Sequence, residues 1–428
     1  MFSSRGALVR AGVRPWCSGW RRERNMATSQ ATVTPNLDPV AAGQAVRIEV
    51  AGNALSLYTE APVLFHAMLA DMAAAKSCIW LETYIFANDA SGRAIAGALM
   101  RRAAEGLDVR VLYDAVGSQA TGPELFSDLR GAGVQVHAYH SLWEALRKFS
   151  FFTILNRRDH RKLLVIDDVC AYFGGMNIVD HGRDLTFLQT DERQAPTLGW
   201  RDLHVRLQGP QQQEIAHSFH RSWLHAKGQY LRRRPKEYRR VKLIPAEESI
   251  HFFDSGPGLS FSRAARVYRK LLRRARHQVV IAMAYFIPVR RVLRALLAAR
   301  RRQVRVHVIV PAKTDVRIAQ LATRYLYHKL LRSGIRIYER ASRVLHSKVV
   351  VIDRQWTILG SANIDPRSLW TNLEFLAVIR SPRFAAAIRR ICRYELRHSR
   401  RVRLADVEHN TTGEKILNTL AYWLRWWL

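Results

Sequence analysis

His346 and Lys348 stand two residues apart, ahead of an apolar run from Val349 to Ile352, then Asp353 and Gly360-Ser361-Ala362-Asn363. In an extended strand, residues i and i+2 share a face, so the imidazole and the ammonium point the same way. A tight turn then returns the Asn363 amide toward them. An imidazole, a cation and an amide brought to one point suit an anionic phosphate. His160, Lys162, Asp167 and Gly174-Gly175-Met176-Asn177 repeat the pattern at the same offsets. One copy could be accidental. Two copies with the same trailing asparagine indicate a site built from both.

Two His, two Lys and two Asn on one centre can transfer a phosphoryl group without a metal or cofactor. One neutral imidazole attacks phosphorus and forms a covalent phosphohistidine. The other, protonated, gives its proton to the leaving oxygen and then serves as base for the incoming hydroxyl. Lys162, Lys348, Asn177 and Asn363 would bind the nonbridging oxygens as charge builds. Asp167 and Asp353 are grouped with this catalytic set as strand-end anchors, hydrogen-bonded within their motifs. Asp202 in Trp200-Arg201-Asp202 and Glu374 in Asn372-Leu373-Glu374 each precede a strand downstream of a motif. They are expected to orient the histidines through the second ring nitrogen, Glu374 joining the His346 copy and Asp202 the His160 copy. No G-x-x-x-x-G-K-[ST] loop or metal-ligand cluster is present, and His181, His217 and His220 read as surface or helix-packing residues.

The elements that must position these groups alternate. Leu64 to Met72 gives a helical stripe, Cys78 to Leu81 a buried strand, a helix runs to Ala104, and Val109 to Asp114 is the next strand. Ala264 to Ala275, Val279 to Ala282 and Val304 to Val310 repeat that order, with Tyr285-Phe286-Ile287 matched to Tyr84-Ile85-Phe86. This predicts an α/β fold of two similar α/β/α halves related by a pseudo-twofold, with the site at their interface. The expected boundaries are a disordered or mis-assigned tail at 1–43, a first half at 44–230, a second at 246–405 and an amphipathic membrane-interface helix at 414–428. The join falls at 230–245, where Arg232, Arg233, Arg234 and Pro235 break the periodicity. Trp143, Leu146, Phe149, Phe151 and Phe152 form an insertion that either meets acyl chains or packs as a local helix.

Across 428 residues, 68 Lys and Arg against 35 Asp and Glu give a net charge of +33. That favours a polyanionic partner, an anionic lipid surface or a nucleic acid, although arginines coating solvated helices would give the same sum. Four scattered cysteines without C-x-x-C spacing suggest a reducing compartment. No apolar run of transmembrane length occurs. Ile416, Leu417, Leu420, Trp423, Leu424 and Trp427 share one helical face, opposite Asn418, Tyr422 and Arg425, as in helices lying in a membrane interface.

The duplicated H-x-K-x-x-x-x-D with trailing Gly-x-x-Asn resembles the phospholipase D superfamily over about residues 44–405. Gly360 to Ser368, Asn372, Glu374, Glu82 to Phe86, Trp200-Arg201-Asp202 and Tyr285 to Pro288 are similar to bacterial cardiolipin synthases of the short branch without N-terminal transmembrane helices. The resemblance implies His160 as nucleophile and His346 as acid and base. It further implies phosphatidyl transfer between two phosphatidylglycerols with release of glycerol, at the periphery of a bacterial inner membrane. Hydrolysis to a free phosphatidyl product, or phosphodiester cleavage of nucleic acid, are the alternatives. The aromatic C-terminus disfavours nucleic acid as the partner.

Overall fold

The computed structural model describes residues 45–139, 157–180, 199–228, 241–243, 246–256 and 263–426. The 1–43 tail, the aromatic insertion, His181, the 232–235 join and Trp427 lie outside the described residues.

The first half opens with a hairpin that the sequence reading had not separated from the following helix. Strands β1 (Val46–Val50) and β2 (Asn53–Tyr58) are joined by Ala51 and Gly52. Both turn residues adopt positive φ, 48° and 75°, as a two-residue hairpin matching the strand twist requires. Then follow α1 (Ala61–Ala74), β3 (Cys78–Thr83), α2 (Ala90–Ala104), β4 (Asp108–Asp114), α3 (Glu124–Gly131) and β5 (Gln135–Tyr139). The half closes with β6 (Leu163–Ile166), β7 (Cys170–Gly174), β8 (His204–Gln208) and α4 (Gln212–Ala226). Its sheet runs β1-β2-β8-β7-β6-β3-β4-β5, with β3, β4 and β5 parallel through helical crossovers and every other pair antiparallel.

The second half comprises β9 (Ser249–Ser255), α5 (Arg263–Arg274), β10 (Gln278–Met283), α6 (Arg290–Arg301), β11 (Arg305–Pro311), α7 (Arg317–Tyr325), α8 (Tyr327–Arg332) and β12 (Arg336–Arg340). It continues through β13 (Lys348–Ile352), β14 (Trp356–Gly360), α9 (Pro366–Trp370), β15 (Glu374–Arg380), α10 (Pro382–Arg397) and β16 (Ser399–Val402). Its sheet order is β16-β12-β11-β10-β13-β14-β15-β9. The motif strand β13 is buried at every residue, which explains its unbroken Val-Ile run in place of alternation.

The two sheets meet through Phe173 of β7, Phe252 of β9 and Phe375 of β15, whose ring centroids lie 5.3–5.9 Å apart. Such aromatic packing adds to the area removed from water. Buried ions also cross the contact. Glu395 of α10 accepts from Arg201 at 2.7 Å and from Arg340 at 2.8 Å, while Arg161 reaches Glu82, Asp159 and Asp254. Beyond β16 follow α11 (Leu404–Glu408), α12 (Thr412–Trp423) and a 3₁₀ turn at Leu424–Trp426.

One matched pair shifts by a residue. Phe86 bridges Ile178 and Phe286 bridges Ile364, so Phe86 corresponds to Phe286. Tyr84 therefore aligns with Ala284, and Tyr285 with Ile85. The similarity of Thr-Tyr-Ile-Phe and Ala-Tyr-Phe-Ile had concealed the offset.

Candidate active site

Each histidine ends an extended segment that is stitched to the opposite half. His160 N–H donates to Leu373 O at 3.0 Å, and His346 N–H to Arg201 O at 2.7 Å. These backbone bonds make each imidazole's placement depend on the other half. The side chains are crossed in the same way. His160 Nδ1 lies 3.2 Å from Glu374 Oε2 and 3.1 Å from Ser361 O. His346 Nδ1 lies 2.6 Å from Asp202 Oδ2. This corrects the pairing expected from sequence, which placed each carboxylate with the motif of its own half.

A proton on Nδ1 satisfies these acceptors and leaves Nε2 of each ring as the reactive nitrogen, with Lys348 Nζ standing 2.7 Å from Nδ1 and 3.2 Å from Nε2 of His346. The carboxylates are held differently. Gly175 packs so closely on Asp202 that an added Cβ would fall 2.3 Å from its Oδ1. At the equivalent position Ser361 supplies a hydroxyl that donates to Glu374 and accepts from Phe375 N–H. Lys348 Nζ lies 3.3 Å from Asp202 Oδ2 and also donates to the His346 carbonyl. Lys162 Nζ donates to the His160 carbonyl at 2.6 Å and sits 5.0 Å from the Tyr84 ring centroid.

Burial sets the electrostatics. It pulls the His160 pKa down, with the Lys162 charge adding to the effect and Glu374 opposing it. It pulls His346 down likewise, with Lys348 adding and Asp202 opposing. Both rings are thus neutral near pH 7 in the free protein, and an anionic phosphate is what would favour charging one of them. Burial would raise Asp202, but Lys348 and His346 hold it at about 2. Lys162, buried and only partly compensated by Glu374, falls to about 7.

Both histidines line one pocket with Asn177 and Asn363. Asn363 Oδ1 accepts from Tyr285 N–H at 3.3 Å, which turns its amide N–H groups away from the backbone and free to meet an oxyanion. Asp167 and Asp353 lie elsewhere, and their grouping with the catalytic residues is corrected. Five residues of strand, about 16 Å, separate each from its lysine. Asp167 accepts from Lys76, Ser77 and Cys78 N–H at 2.8–2.9 Å, and Asp353 from Arg276, His277 and Gln278 N–H at 2.7–2.9 Å. Each anchors the turn after its motif strand to the start of the neighbouring strand, beyond its own motif. Both take positive φ there, 49° and 52°.

A family model described as "Cardiolipin synthase, PLD-like domain" matches residues 68–187 and 268–394. The chain belongs to that family. It is 30% identical to cardiolipin synthase A of Pseudomonas putida over 84% of this chain and 72% of the relative. Identity to the cardiolipin synthase of Halalkalibacterium halodurans is 29% over 80% of this chain, which spans 65% of that relative's length. Among solved structures, phosphatidylserine synthase of Haemophilus influenzae superposes with a TM-score of 0.60 at 16% identity, covering 89% of this chain and 94% of the other, and so shares the fold.

Membership in the PLD-like cardiolipin synthase family directs attention to the rest of the pocket wall. Arg158, Trp200, Asp315, Arg367 and Asn372 line it without having been singled out for a role on sequence. Trp200 packs against His346 in a tilted arrangement with centroids 4.6 Å apart, and Tyr84 meets His160 edge-on at 4.9 Å. Tyr285 donates through its hydroxyl to Asp315 at 2.6 Å. Arg158 was legible in principle, since i and i+2 from His160 share a face of the extended segment. Asp315 carried no such signal, because only the fold of β11 and α7 brings it there.

Proposed function

We propose that this chain is a cardiolipin synthase that transfers a phosphatidyl group from one phosphatidylglycerol to another. The observation that carries this reading is the pair of imidazoles, each with Nδ1 facing a buried carboxylate, lining one pocket with two asparagines, while each motif lysine is buried against the carbonyl of its own histidine. In the first step Nε2 of one histidine attacks phosphorus, the bond from phosphorus to the glycerol oxygen breaks, and the other histidine gives that oxygen its proton. In the second, the acceptor hydroxyl loses its proton to that same histidine while its oxygen attacks phosphorus and the phosphorus–nitrogen bond breaks. In this proposal His160 is the nucleophile and His346 the acid and base. Lys162, Lys348, Asn177 and Asn363 hold the nonbridging oxygens.

The lipid reading also draws on α12. Asn418 and Ala421 are buried and Tyr422 stacks on Tyr325 of α7 at 4.3 Å, so the polar side docks on the protein. Ile416, Leu417, Leu420, Trp423 and Leu424 face outward, Trp423 being 73% exposed. Trp426 stacks on Trp370 of α9 at 4.6 Å. Helices α7 and α9 also contribute Ala319, Arg367 and Ser368 to the pocket wall, so the exposed face borders the active site. Among the described residues no helix is long and apolar enough to cross a membrane. In this reading the chain attaches peripherally, at the bacterial inner membrane, through this face and the basic surface.

Incubation with phosphatidylglycerol and analysis of the lipids tests the reaction. Cardiolipin with equimolar glycerol is expected; phosphatidic acid alone would mean hydrolysis, and no lipid turnover with cleavage of a DNA substrate would mean a nuclease. Replacing Leu420 and Trp423 by Ser should cut flotation with anionic vesicles while turnover in detergent persists. Undiminished flotation would refute the interfacial helix.

A further inference from the structure

The groups that handle the reacting phosphate occur in both halves, but a cationic pair in the same pocket does not. Arg158 stands two residues before His160, and the position two before His346 is Val344. Arg158 lines the pocket and is only 9% exposed. Its guanidinium makes no hydrogen bond or ion pair to any described residue. A buried guanidinium carries five donors and is nearly always paired. Asp114, a carboxylate that acts on it, already accepts from Val116, Gly117 and Asp159 N–H at 2.7–3.0 Å.

Arg367, on α9, lines the same pocket and lies close enough for the two positive charges to act on each other. Burial pulls Arg158 below the usual arginine value, with Asp114 opposing this and Arg367 adding to it. An anion between the two guanidiniums would relieve both effects. Two carboxylates also line this pocket: Asp315 accepts from Tyr285, and Asp365, beside Arg367, accepts from Ser368 N–H at 2.8 Å.

From this arrangement we infer that Arg158 and Arg367 form a second phosphate subsite, which holds the acceptor lipid's own unreacting phosphate while its glycerol hydroxyl meets the reacting centre. Resting on the transferase reading above, this names the feature that selects the acceptor. Two residues of extended chain separate Arg158 from His160, about 6.6 Å of rise, a gap that a three-carbon glycerol bridges. Guanidinium forks match the paired oxygens of a phosphodiester. An acceptor alcohol without a phosphate gains nothing from the pair. The arginines therefore discriminate between acceptors.

The test is a competition in detergent micelles, with phosphatidylglycerol as donor, ethanol as a neutral rival acceptor, and the full-length wild-type, Arg158→Met, Arg367→Met and Arg158→Lys proteins. The expected result is a cardiolipin to phosphatidylethanol ratio lowered roughly tenfold or more in each Met variant, the size of one lost charge-assisted contact. Arg158→Lys should recover part of it. An unchanged ratio in both Met variants overturns the subsite, as does parallel loss of both products in both, which would place the arginines in the shared first step. Wild-type protein that makes phosphatidylethanol and no cardiolipin would instead refute the transferase reading, and the subsite with it.

Discussion

The two halves repeat the residues that touch the reacting phosphate and diverge in those around them. His160 and His346, Lys162 and Lys348, and Asn177 and Asn363 correspond at a constant offset. Their neighbours do not: Arg158 faces Val344 across the repeat, Trp200 faces Asn372, Ile85 faces Tyr285, and Gly175 faces Ser361. A phosphoryl group changing partners needs the same help on entry and departure, which keeps the inner groups alike. In the proposed reaction the two molecules that flank it differ, one leaving as a small alcohol and one arriving as a lipid. The outer ring carries that difference.

The largest effect expected from breaking the comparison comes from the histidines. His160→Asn and His346→Asn should each lower cardiolipin formation by about 10⁴-fold or more, as when one member of a catalytic set is removed. Acid-quenched protein incubated with radiolabelled phosphatidylglycerol then separates the two roles. Label should accumulate on the His346→Asn protein and be absent from His160→Asn if His160 attacks, and the reverse pattern would exchange the assignments.

A smaller effect distinguishes the crossed carboxylates. Asp202→Asn and Glu374→Gln should each cost about 10–100-fold in kcat, the usual range for a group that orients a functional histidine. Asp202→Asn should cost more, because Asp202 also holds Lys348 while Glu374 leans on Ser361. Equal losses would mean that the lysine contact adds nothing.

The smallest effect is a shift in pH dependence. Lys162 titrates at about 7 in the free protein, so its charge is present below that pH and lost above it. The kcat/KM for lipid should therefore fall on the alkaline side with an apparent pKa near 7. Lys162→Arg keeps its charge and should move that limb upward. A limb that stays in place would have another origin, and the depressed Lys348 is the next candidate.

Much of this was legible in the sequence where local chemistry repeats. The double motif named the two histidines, lysines and asparagines, and alternating helices and apolar strands gave two α/β halves. The β1–β2 hairpin escaped because its turn, Ala51-Gly52, lacks the Asn-Gly or Asp-Gly signal. Asp167 and Asp353 sit at a fixed step from the lysines, but strand rise carries them out of the pocket. The crossing of Asp202 and Glu374 was not legible, because a residue's own repeat says nothing about which half its side chain will face. Tyr84 and Tyr285 were misaligned since adjacent aromatic and aliphatic residues look alike when shifted by one.

Exchanging the carboxylates between halves has a consequence for how such a chain could have arisen. A single half carries an imidazole without its acceptor and an acceptor without its imidazole. It could work only beside a second copy of itself, turned to face it, so that each lends the other its acid. The present chain then reads as a tethered homodimer, in which the tether let the two outer rings drift apart while the exchange held the inner groups fixed. Expressed as two separate polypeptides, the halves should recover activity only when mixed.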